Sequence, residues 1–440
     1  MRKKFVLAIY YTNINLQSAG IELYIKKQIN MFNINDTDVL VVFPVRKKIG
    51  LVTLDFWGVM INDQLLQIYS TEQFIYELSR MYENDYQLLG VYIHHLMNVN
   101  ISDLKNILDV LNNCPIFIYI HDFYTSCIQY NLLKNDLEYC GNARLEHNKC
   151  FDCHYYKDSV KMRERFYIFF DAIIEQFDQV WFVSPSSYVA NLWSDAYPKY
   201  KNKIIIIEHL NAFGLYKKNN HVISDDELLK IAYVGATVSS KGWNQWKNTN
   251  QLLMSEKKDY ELFQFGNGKP ATKNIKQISV SVQKDGPNAM IDAIRNHQIH
   301  VAVLNSICPE TYSYTYYECM AANAFIITNK NSGNIAAQIK KNKNGIVMKS
   351  ANDLFKVLMD EESLRYKVNS FRKSSKAPLL YKDNIKSYEM IKNENKIWLK
   401  KNKEYLFKKT PFKLLSIVLY NLRYRKKNQV IQIGQIHIVE

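Results

Sequence analysis

Residues 300–328 read HVAVLNSICPETYSYTYYECMAANAFIIT, and this stretch decides the class of fold that the chain adopts. It begins and ends with a short apolar run, at 300–304 and at 325–328. The segment between the runs is long enough for a loop followed by a helix. Parallel strands need a crossover of about a dozen residues or more, which is usually a helix. The stretch therefore predicts a strand–helix–strand unit of a parallel sheet.

The same alternation of apolar runs and helical patterns extends over most of the chain. A helix is predicted over 18–32, where apolar side chains recur at helical spacing. The other runs that we interpret as strands are 5–10, 39–43, 88–93, 115–120, 179–183, 231–234 and 261–265. Continuously apolar strands are typical of parallel sheets that helices cover on both faces, so we predict an α/β fold.

A chain of 440 residues is too long for one ordinary core, so two domains are expected. The strand pattern restarts after a polar, aperiodic stretch, and we place the linker near 213–227. The predicted units are a Rossmann-like domain over 1–215 and a second one over 225–385. We expect the remaining residues, 386–440, to form a basic helical segment.

Composition excludes several classes of protein. Hydrophobic residues make up 47% of the chain, which excludes a disordered protein. The net charge of +15 suits an anionic partner such as nucleic acid, an acidic membrane leaflet or a phosphorylated substrate. Because no helix-turn-helix, RRM or zinc-finger pattern is present, we do not expect nucleic acid. The excess of Lys, Asn, Ile and Tyr is attributed to an AT-rich genome.

No apolar run approaches about 18 residues, and the run that follows the basic start is too short for a signal peptide. We therefore expect a cytoplasmic protein with reduced cysteines. The basic segment contains 13 Lys and Arg against three Glu between 386 and 427, around the apolar stretch 412–420. Two interpretations stay open. The segment is either an interfacial helix at the inner face of the cell membrane or a helix that packs back on the first domain.

Two acidic residues mark a candidate site within the opening stretch. If Glu310 lies in the loop after a strand and Glu318 lies about a turn into the helix, both carboxylates can face one ligand. Free backbone N–H groups at the helix start would meet a phosphate, and a carboxylate accepts hydrogen bonds from vicinal sugar hydroxyls. The alternative is an acid at a helix start and a solvated acid, paired by chance.

A second stretch, VGATVSSKGW at 234–243, has related features. Gly235 follows a strand, and Lys241 and Gly242 open the next helix. Lys241 places a positive charge at this helix start. Taken alone, such a residue is more often a solvated lysine at a helix start.

Joined in this order, the two stretches resemble glycosyltransferase family 4, whose retaining enzymes have the GT-B fold of two Rossmann-like domains facing across a cleft. The resemblance covers most of 1–350. It rests on Glu310 and Glu318, on the small-residue turn 321–324 before a strand, and on SGNI and NGIV at 332–335 and 344–347. Ala236 stands where many members carry Arg, which suggests a subgroup lacking one phosphate contact.

The resemblance implies roles for these residues. The second domain would bind the donor, with Glu310 on the sugar, Glu318 on the ribose hydroxyls and Lys241 on the diphosphate. The other implied donor-binding residues are Gly235, Thr311, Ser313, Tyr314 and Thr315.

In the first domain, the acceptor domain, Ser18, Ala19 and Gly20 open a helix, and the Gly lets backbone approach a ligand. The resemblance places this loop beside the acceptor and the donor phosphate, and the alternative is an ordinary strand–helix connection.

His121 follows the predicted strand 115–120, at the end of a strand where α/β sheets bind ligands. The resemblance assigns His121 to the donor sugar, so the catalytic candidates are Glu310, His121 and Lys241. Asp122 is expected to fix the loop, and Ser186 is interpreted as a helix cap.

Four cysteines follow in one loop, namely Cys127, Cys140, Cys150 and Cys153. A Cys-x2-Cys pair and two further thiols in a cytosolic chain suggest a structural, tetrahedral zinc site that staples the loop. Some transferases that this chain resembles have a similar loop after a His-Asp-aromatic motif. Because the first two spacings differ from those of standard zinc fingers, buried thiols or a redox-sensitive pair stay open.

The sequence thus predicts a retaining glycosyltransferase that uses a nucleoside-diphosphate sugar and a glycan or lipid-linked acceptor, in bacterial surface polysaccharide synthesis. No catalytic metal is expected, because no Asp-x-Asp motif stands in a credible place. The rivals are a UDP-sugar 2-epimerase-like enzyme on the same fold and a non-catalytic, degenerate transferase that only binds.

Overall fold

A computed structural model describes residues 3–392 except 17–18, 50–51, 84–85, 112, 142, 216–220, 267, 269 and 376–377. The predicted basic segment 386–440 therefore lies outside the described residues from 393 onward.

The first part of the chain builds a mixed sheet with helices on both faces. Its described strands are β1 (Lys3–Ile9), β2 (Thr37–Ile49), β3 (Val52–Ile61), β4 (Gln64–Tyr69), β5 (Tyr86–Ile93), β6 (Ile116–Tyr119), β7 (Leu133–Lys134), β8 (Glu138–Tyr139), β9 (Val180–Ser184), β10 (Ile204–Ile206) and β11 (Leu210–Leu215). Its described helices are α1 (Gly20–Ile34), α2 (Thr71–Glu83), α3 (Ile101–Asp109), α4 (His147–Cys150), α5 (Tyr156–Gln176) and α6 (Ser187–Ala196).

The strand order of this sheet is β10-β9-β6-β5-β1-β2-β3-β4. All neighbours from β10 to β2 are parallel, whereas β3 and β4 add an antiparallel edge. This edge was not predicted, although residues 56–61 form an apolar run like those interpreted as strands. Apolar side chains of alternating strand positions form one buried cluster on each face, as predicted for a covered sheet.

The second part of the chain builds a separate parallel sheet. The strands described in this part of the chain are β12 (Lys230–Val234), β13 (Glu261–Phe265), β14 (Ile275–Ile278), β15 (Val301–Val303), β16 (Phe325–Asn329), β17 (Gly345–Met348) and β18 (Leu379–Asp383). The described helices are α7 (Trp243–Ser255), α8 (Val282–Asp285), α9 (Ala289–Asn296), α10 (Tyr314–Ala321), α11 (Asn334–Asn342), α12 (Leu354–Met359), α13 (Glu361–Ser374) and α14 (Lys386–Glu389). The strand order β14-β13-β12-β15-β16-β17 is that of a Rossmann fold.

Two segments connect the sheets. Strand β18 pairs antiparallel with β11, so the linker predicted at 213–227 begins inside a strand. Beyond β18 the chain returns to the first sheet, where Tyr92 Oη donates to the backbone oxygen of Ser387 at 3.0 Å. Ile391 is fully buried in the core cluster of the first sheet. The described start of the basic segment thus packs back on the first domain. No helix of the described residues is both long and apolar enough to span a membrane.

Replacing Ile391 by Ala should lower the free energy of unfolding by about 2–5 kcal/mol, the usual cost of removing a buried Ile side chain. Ile385 lies in the same returning segment but is 46% exposed, so Ile385→Ala serves as the matched control with a much smaller effect. Chemical denaturation of both variants measures the difference. Equal losses would contradict the docking of the segment through Ile391.

Candidate functional site

The strand order of the second sheet indicates where a ligand would bind. Neighbouring strands β12 and β15 flank the point where the order reverses, and ligands of open α/β sheets bind beyond the carboxyl ends of such strands. The loop after β12 carries residues 235–242, and the loop after β15 carries 304–313. These are the two stretches that the sequence marked as donor-binding.

The two loops meet in an ion pair. The ammonium of Lys241 lies 2.6 Å from Oε1 and 2.7 Å from Oε2 of Glu310, so it donates to both carboxylate oxygens. The Glu310 side chain is 10% exposed and that of Lys241 is 44% exposed. Burial lowers the pKa of Lys241, but the attraction and hydrogen bonds of Glu310 outweigh burial and leave the pKa raised. Lys241 is therefore charged at neutral pH and faces the cleft.

Two glycines allow the loops to come this close. Gly242 has a φ of 79°, and a Cβ there would lie 2.0 Å from the backbone oxygen of Asn305. A Cβ on Gly333 would lie 2.7 Å from the backbone N and O of Glu310, with which Gly333 forms a β-bridge. Any larger residue would push these backbones apart, so both glycines fix the position of Glu310.

Helix α10 begins next to Glu310. Ser313 is its N-cap and accepts a hydrogen bond from the backbone N–H of Tyr316, while Ser313 and Thr315 join their hydroxyls at 2.8 Å. Glu318 lies one turn into the helix, as predicted. Its carboxyl group makes no hydrogen bond with any described residue, and burial raises its pKa to about 7, an effect that Lys27 partly opposes. Lys27 also stacks on the Tyr314 ring at 5.3 Å.

Glu318 should make the folded protein less stable as the pH rises. Its pKa is about 7 in the folded state and near 4.5 when unfolded, so the folded state holds the extra proton between these values. The free energy of unfolding should fall by at most about 3 kcal/mol from pH 4.5 to pH 7 through this group. Glu318→Gln should remove this fall, which denaturation at pH 5 and pH 8 can measure. A wild type and variant with the same pH dependence would refute the assignment.

The first sheet contributes the opposite wall of the cleft. The hydroxyl of Thr311 donates to the backbone oxygen of His121 at 2.6 Å, and the hydroxyl of Ser186 donates to the backbone oxygen of Thr311 at 3.1 Å. Ser186 also caps α6, as the sequence suggested. A Cβ on Gly20 would lie 4.0 Å from the Tyr314 ring. The residue next to Glu310 is thus held directly against the His121 loop.

His121 belongs to a cluster that the sequence did not reveal. His94 and His209 lie beside it, all three at most 7% exposed, with His94 Nδ1 3.1 Å from His121 Nε2. Burial lowers the pKa of His94 and of His209 to about 3, and that of His121 well below its ordinary value. The available signal was positional, because His94 directly follows the apolar run that forms β5.

The adjacent pair His95 and Asp122 has a structural role. Nδ1 of His95 accepts from the backbone N–H of Met97, so the proton of a neutral ring lies on Nε2, which donates to Asp122 at 2.9 Å. The other carboxylate oxygen of Asp122 accepts from the backbone N–H of Tyr124. Asp122 therefore anchors the loop after β6, as expected.

The remaining residues that the sequence predicted for the site have fewer contacts with it. Gly235 directly follows β12 with a φ of 140°, and a Cβ there would meet nothing within 4 Å. Ala19 precedes α1 and donates its backbone N–H to Glu22 at 3.2 Å. Ser18 lies outside the described residues. The structure brings together Lys241, Glu310, Thr311 and His121, with Gly20 and Tyr314 nearby.

The four loop cysteines lie apart from this cleft. Cys127, Cys140, Cys150 and Cys153 all line one cavity of about 20 Å³, and no disulfide links them. Within the described residues, however, no group of three or more His, Cys, Asp or Glu side chains is placed so that it could hold a metal ion. The thiols thus share a cavity without forming a ligand set, and the zinc site stays a prediction.

If the four thiols bind zinc, the purified protein should contain about one zinc per chain. Cys153→Ser should reduce that content and lower the melting temperature, because a structural metal contributes folding free energy. Cys114 is buried elsewhere, in the core of the first sheet, so Cys114→Ser should leave the zinc content unchanged. Elemental analysis decides the question, and a stable, metal-free wild type would rule the site out.

The sequence matches no family model, and no curated protein matches it. Among solved structures, the chain is similar to sucrose-phosphate synthase from Thermosynechococcus elongatus, with a TM-score of 0.51, 12% identity and coverage of 84% of this chain and 92% of that one. It is also similar to WaaG, a glycosyltransferase involved in lipopolysaccharide biosynthesis, with a TM-score of 0.49, 13% identity and coverage of 88% and 100%. It is similar as well to a glycosyltransferase from Rickettsia africae, with a TM-score of 0.49, 11% identity and coverage of 84% of this chain and 92% of that one. The chain has the GT-B fold of two Rossmann-like domains.

Proposed function

We propose that this chain is a glycosyltransferase that moves a sugar from a nucleoside diphosphate to a glycan or lipid-linked acceptor. The observation that carries the proposal is the pairing of Lys241 with Glu310 beyond the carboxyl ends of β12 and β15. A cation and a carboxylate at this point match the two halves of such a donor, because its diphosphate is anionic and its sugar offers hydroxyl donors.

Donor binding would separate Lys241 from Glu310 and give each of them a new partner on the donor. The Lys241 side chain is 44% exposed, so a diphosphate can reach it, and its two or more negative charges compete with the single charge of Glu310. Release of Lys241 frees the Glu310 carboxylate to accept hydrogen bonds from the sugar. Lys241 then stabilises the charge that develops on the departing diphosphate.

Neighbouring groups support the same division of roles. The start of helix α10 lies beside Glu310, and the positive end of a helix dipole favours an anion. Glu318 lies one turn further along the helix, and its carboxyl group would accept hydrogen bonds from the ribose hydroxyls. The Thr311 bond holds the His121 loop of the first domain against the loop that carries Glu310. Closure of the domains over a bound sugar would then exclude water.

The finer parts of the proposal rest on the resemblance to glycosyltransferase family 4. They are retention at the anomeric carbon, a hexosyl group as the transferred sugar, and a role in bacterial surface polysaccharide synthesis. A lipid-linked acceptor would bring the enzyme to the inner face of the cell membrane, with the part of the basic segment beyond residue 392 as its contact to anionic lipid. Because Lys241 supplies the cation that the diphosphate needs, we propose that transfer requires no divalent metal, and a chelator should leave the rate unchanged.

Lys241→Ala should lower kcat/KM by about 10²–10³-fold, the usual effect of removing one group that stabilises the leaving charge. Glu310→Gln should also lower kcat/KM, because the charged acceptor for the sugar hydroxyls is lost. Lys276→Ala removes a 62% exposed lysine from a surface ion pair of the same domain and should leave kcat/KM unchanged. A thermal-shift screen with UDP-, GDP- and dTDP-sugars first identifies the donor, since a bound ligand raises the melting temperature. Transfer kinetics with that donor then compare the three variants.

The outcomes separate the rival functions. Wild-type rates in both site variants would refute the assignment. Donor cleavage that needs no acceptor would favour an epimerase-like enzyme. Donor binding without turnover would identify a degenerate transferase that acts as a binding protein.

A further inference from the structure

The buried imidazoles below the cleft form a direct hydrogen bond. Strands β5 and β6 are parallel neighbours, so His94 and His121, which follow them, meet at the same edge of the sheet. Their rings are tilted by only 17°, and Nδ1 of His94 lies 3.1 Å from Nε2 of His121. The ring of Tyr119 stacks on both of them.

Both rings are neutral at cellular pH, because burial strongly disfavours the imidazolium form of each. A hydrogen bond between two neutral imidazoles contains a single proton. Either His94 donates from Nδ1 to a bare Nε2 of His121, or His121 donates from Nε2 to a bare Nδ1 of His94. The second ring nitrogen of each residue then takes the opposite state.

The other nitrogen of His94 distinguishes the two arrangements. His94 is 0% exposed, and its Nε2 is buried without a hydrogen-bond partner among the described residues. If His121 donated, His94 Nε2 would have to carry an N–H with no acceptor. A buried orphan N–H is rarer than an acceptor that lacks a donor, as backbone groups show. The proton of the bond therefore belongs to His94 Nδ1.

We propose that His94 is a positioning residue that holds His121 as the Nδ1–H tautomer, so that His121 donates a hydrogen bond to a sugar oxygen of the donor. Nδ1 of His121 makes no hydrogen bond with a described residue. The Thr311 hydroxyl binds the backbone oxygen of His121, which places this residue beside the loop that carries Glu310. The nature of the ligand rests on the proposed function, whereas the tautomer does not.

Nitrogen-15 NMR of the imidazole side chains tests the tautomer in the full chain without any ligand. In the wild type, the chemical shifts should assign the His121 proton to Nδ1. His94→Leu removes the donor, so the proton of His121 should redistribute between its two nitrogens. His94→Asn should restore the wild-type pattern, because the amide N–H₂ of Asn occupies the place of Nδ1.

Transfer kinetics supply the second readout. His94→Leu should lower kcat/KM by about 10–100-fold, the range seen when the outer hydrogen-bond partner of a functional imidazole is removed. His94→Asn should recover most of that loss. In a His121→Ala background, His94→Leu should have no further effect, because the two residues act through one bond.

Tyr119→Phe is the matched control. It alters the same stack by removing a hydroxyl that accepts from Gln28 at 3.0 Å, but it leaves the imidazole bond intact. Its stability should fall while the His121 tautomer stays on Nδ1.

A wild-type His121 proton on Nε2 would overturn the proposal, as would a His94→Asn variant as impaired as His94→Leu. Failure of the proposed function looks different. In that case no nucleotide sugar raises the melting temperature of the wild type, while the NMR assignment is unaffected.

Discussion

The ion pair between Lys241 and Glu310 is the interaction on which the candidate site depends. It joins the loops that leave the two strands flanking the switch point of the second sheet. Because Gly242 and Gly333 permit backbone contacts that no larger residue would allow, the pair forms without displacing either loop. Taking these charges out of water costs free energy that offsets their attraction, so the position of the pair is better explained by what the two charges can bind.

Contacts beside the same ion pair also position the first domain. Thr311, the residue after Glu310, bonds the His121 loop and the start of α6. The strand pair β11–β18 and the return of the chain to Ile391 then connect the two sheets a second time. Two crossings of the chain and a small polar contact at the cleft limit how the domains can move apart, while polar contacts of this size can still open.

Burial determines the chemistry of the first-domain wall. The histidines there are largely buried among aromatic rings and stay neutral, so they cannot serve as cations toward a diphosphate, and that task falls to Lys241. Neutral imidazoles instead offer one donor and one acceptor each, in an arrangement that their neighbours fix. The two walls thus differ in kind, with charge on the second domain and oriented neutral groups on the first.

The sequence by itself determined the α/β class, two sheets covered on both faces, and the candidate residues Lys241, Glu310 and Glu318. These features are local, because short stretches of the sequence are enough to identify apolar runs, glycines and helix starts. It did not reveal the antiparallel edge at β3 and β4, because the direction in which strands pair is not a local feature of the sequence. Only the tertiary structure decided that Lys241 meets Glu310, that His94 bonds His121 and that residues 386–392 return to the first sheet. These contacts join residues that lie 69, 27 and about 300 positions apart in the sequence. They depend on the order of the strands in each sheet, and no local pattern encodes that order.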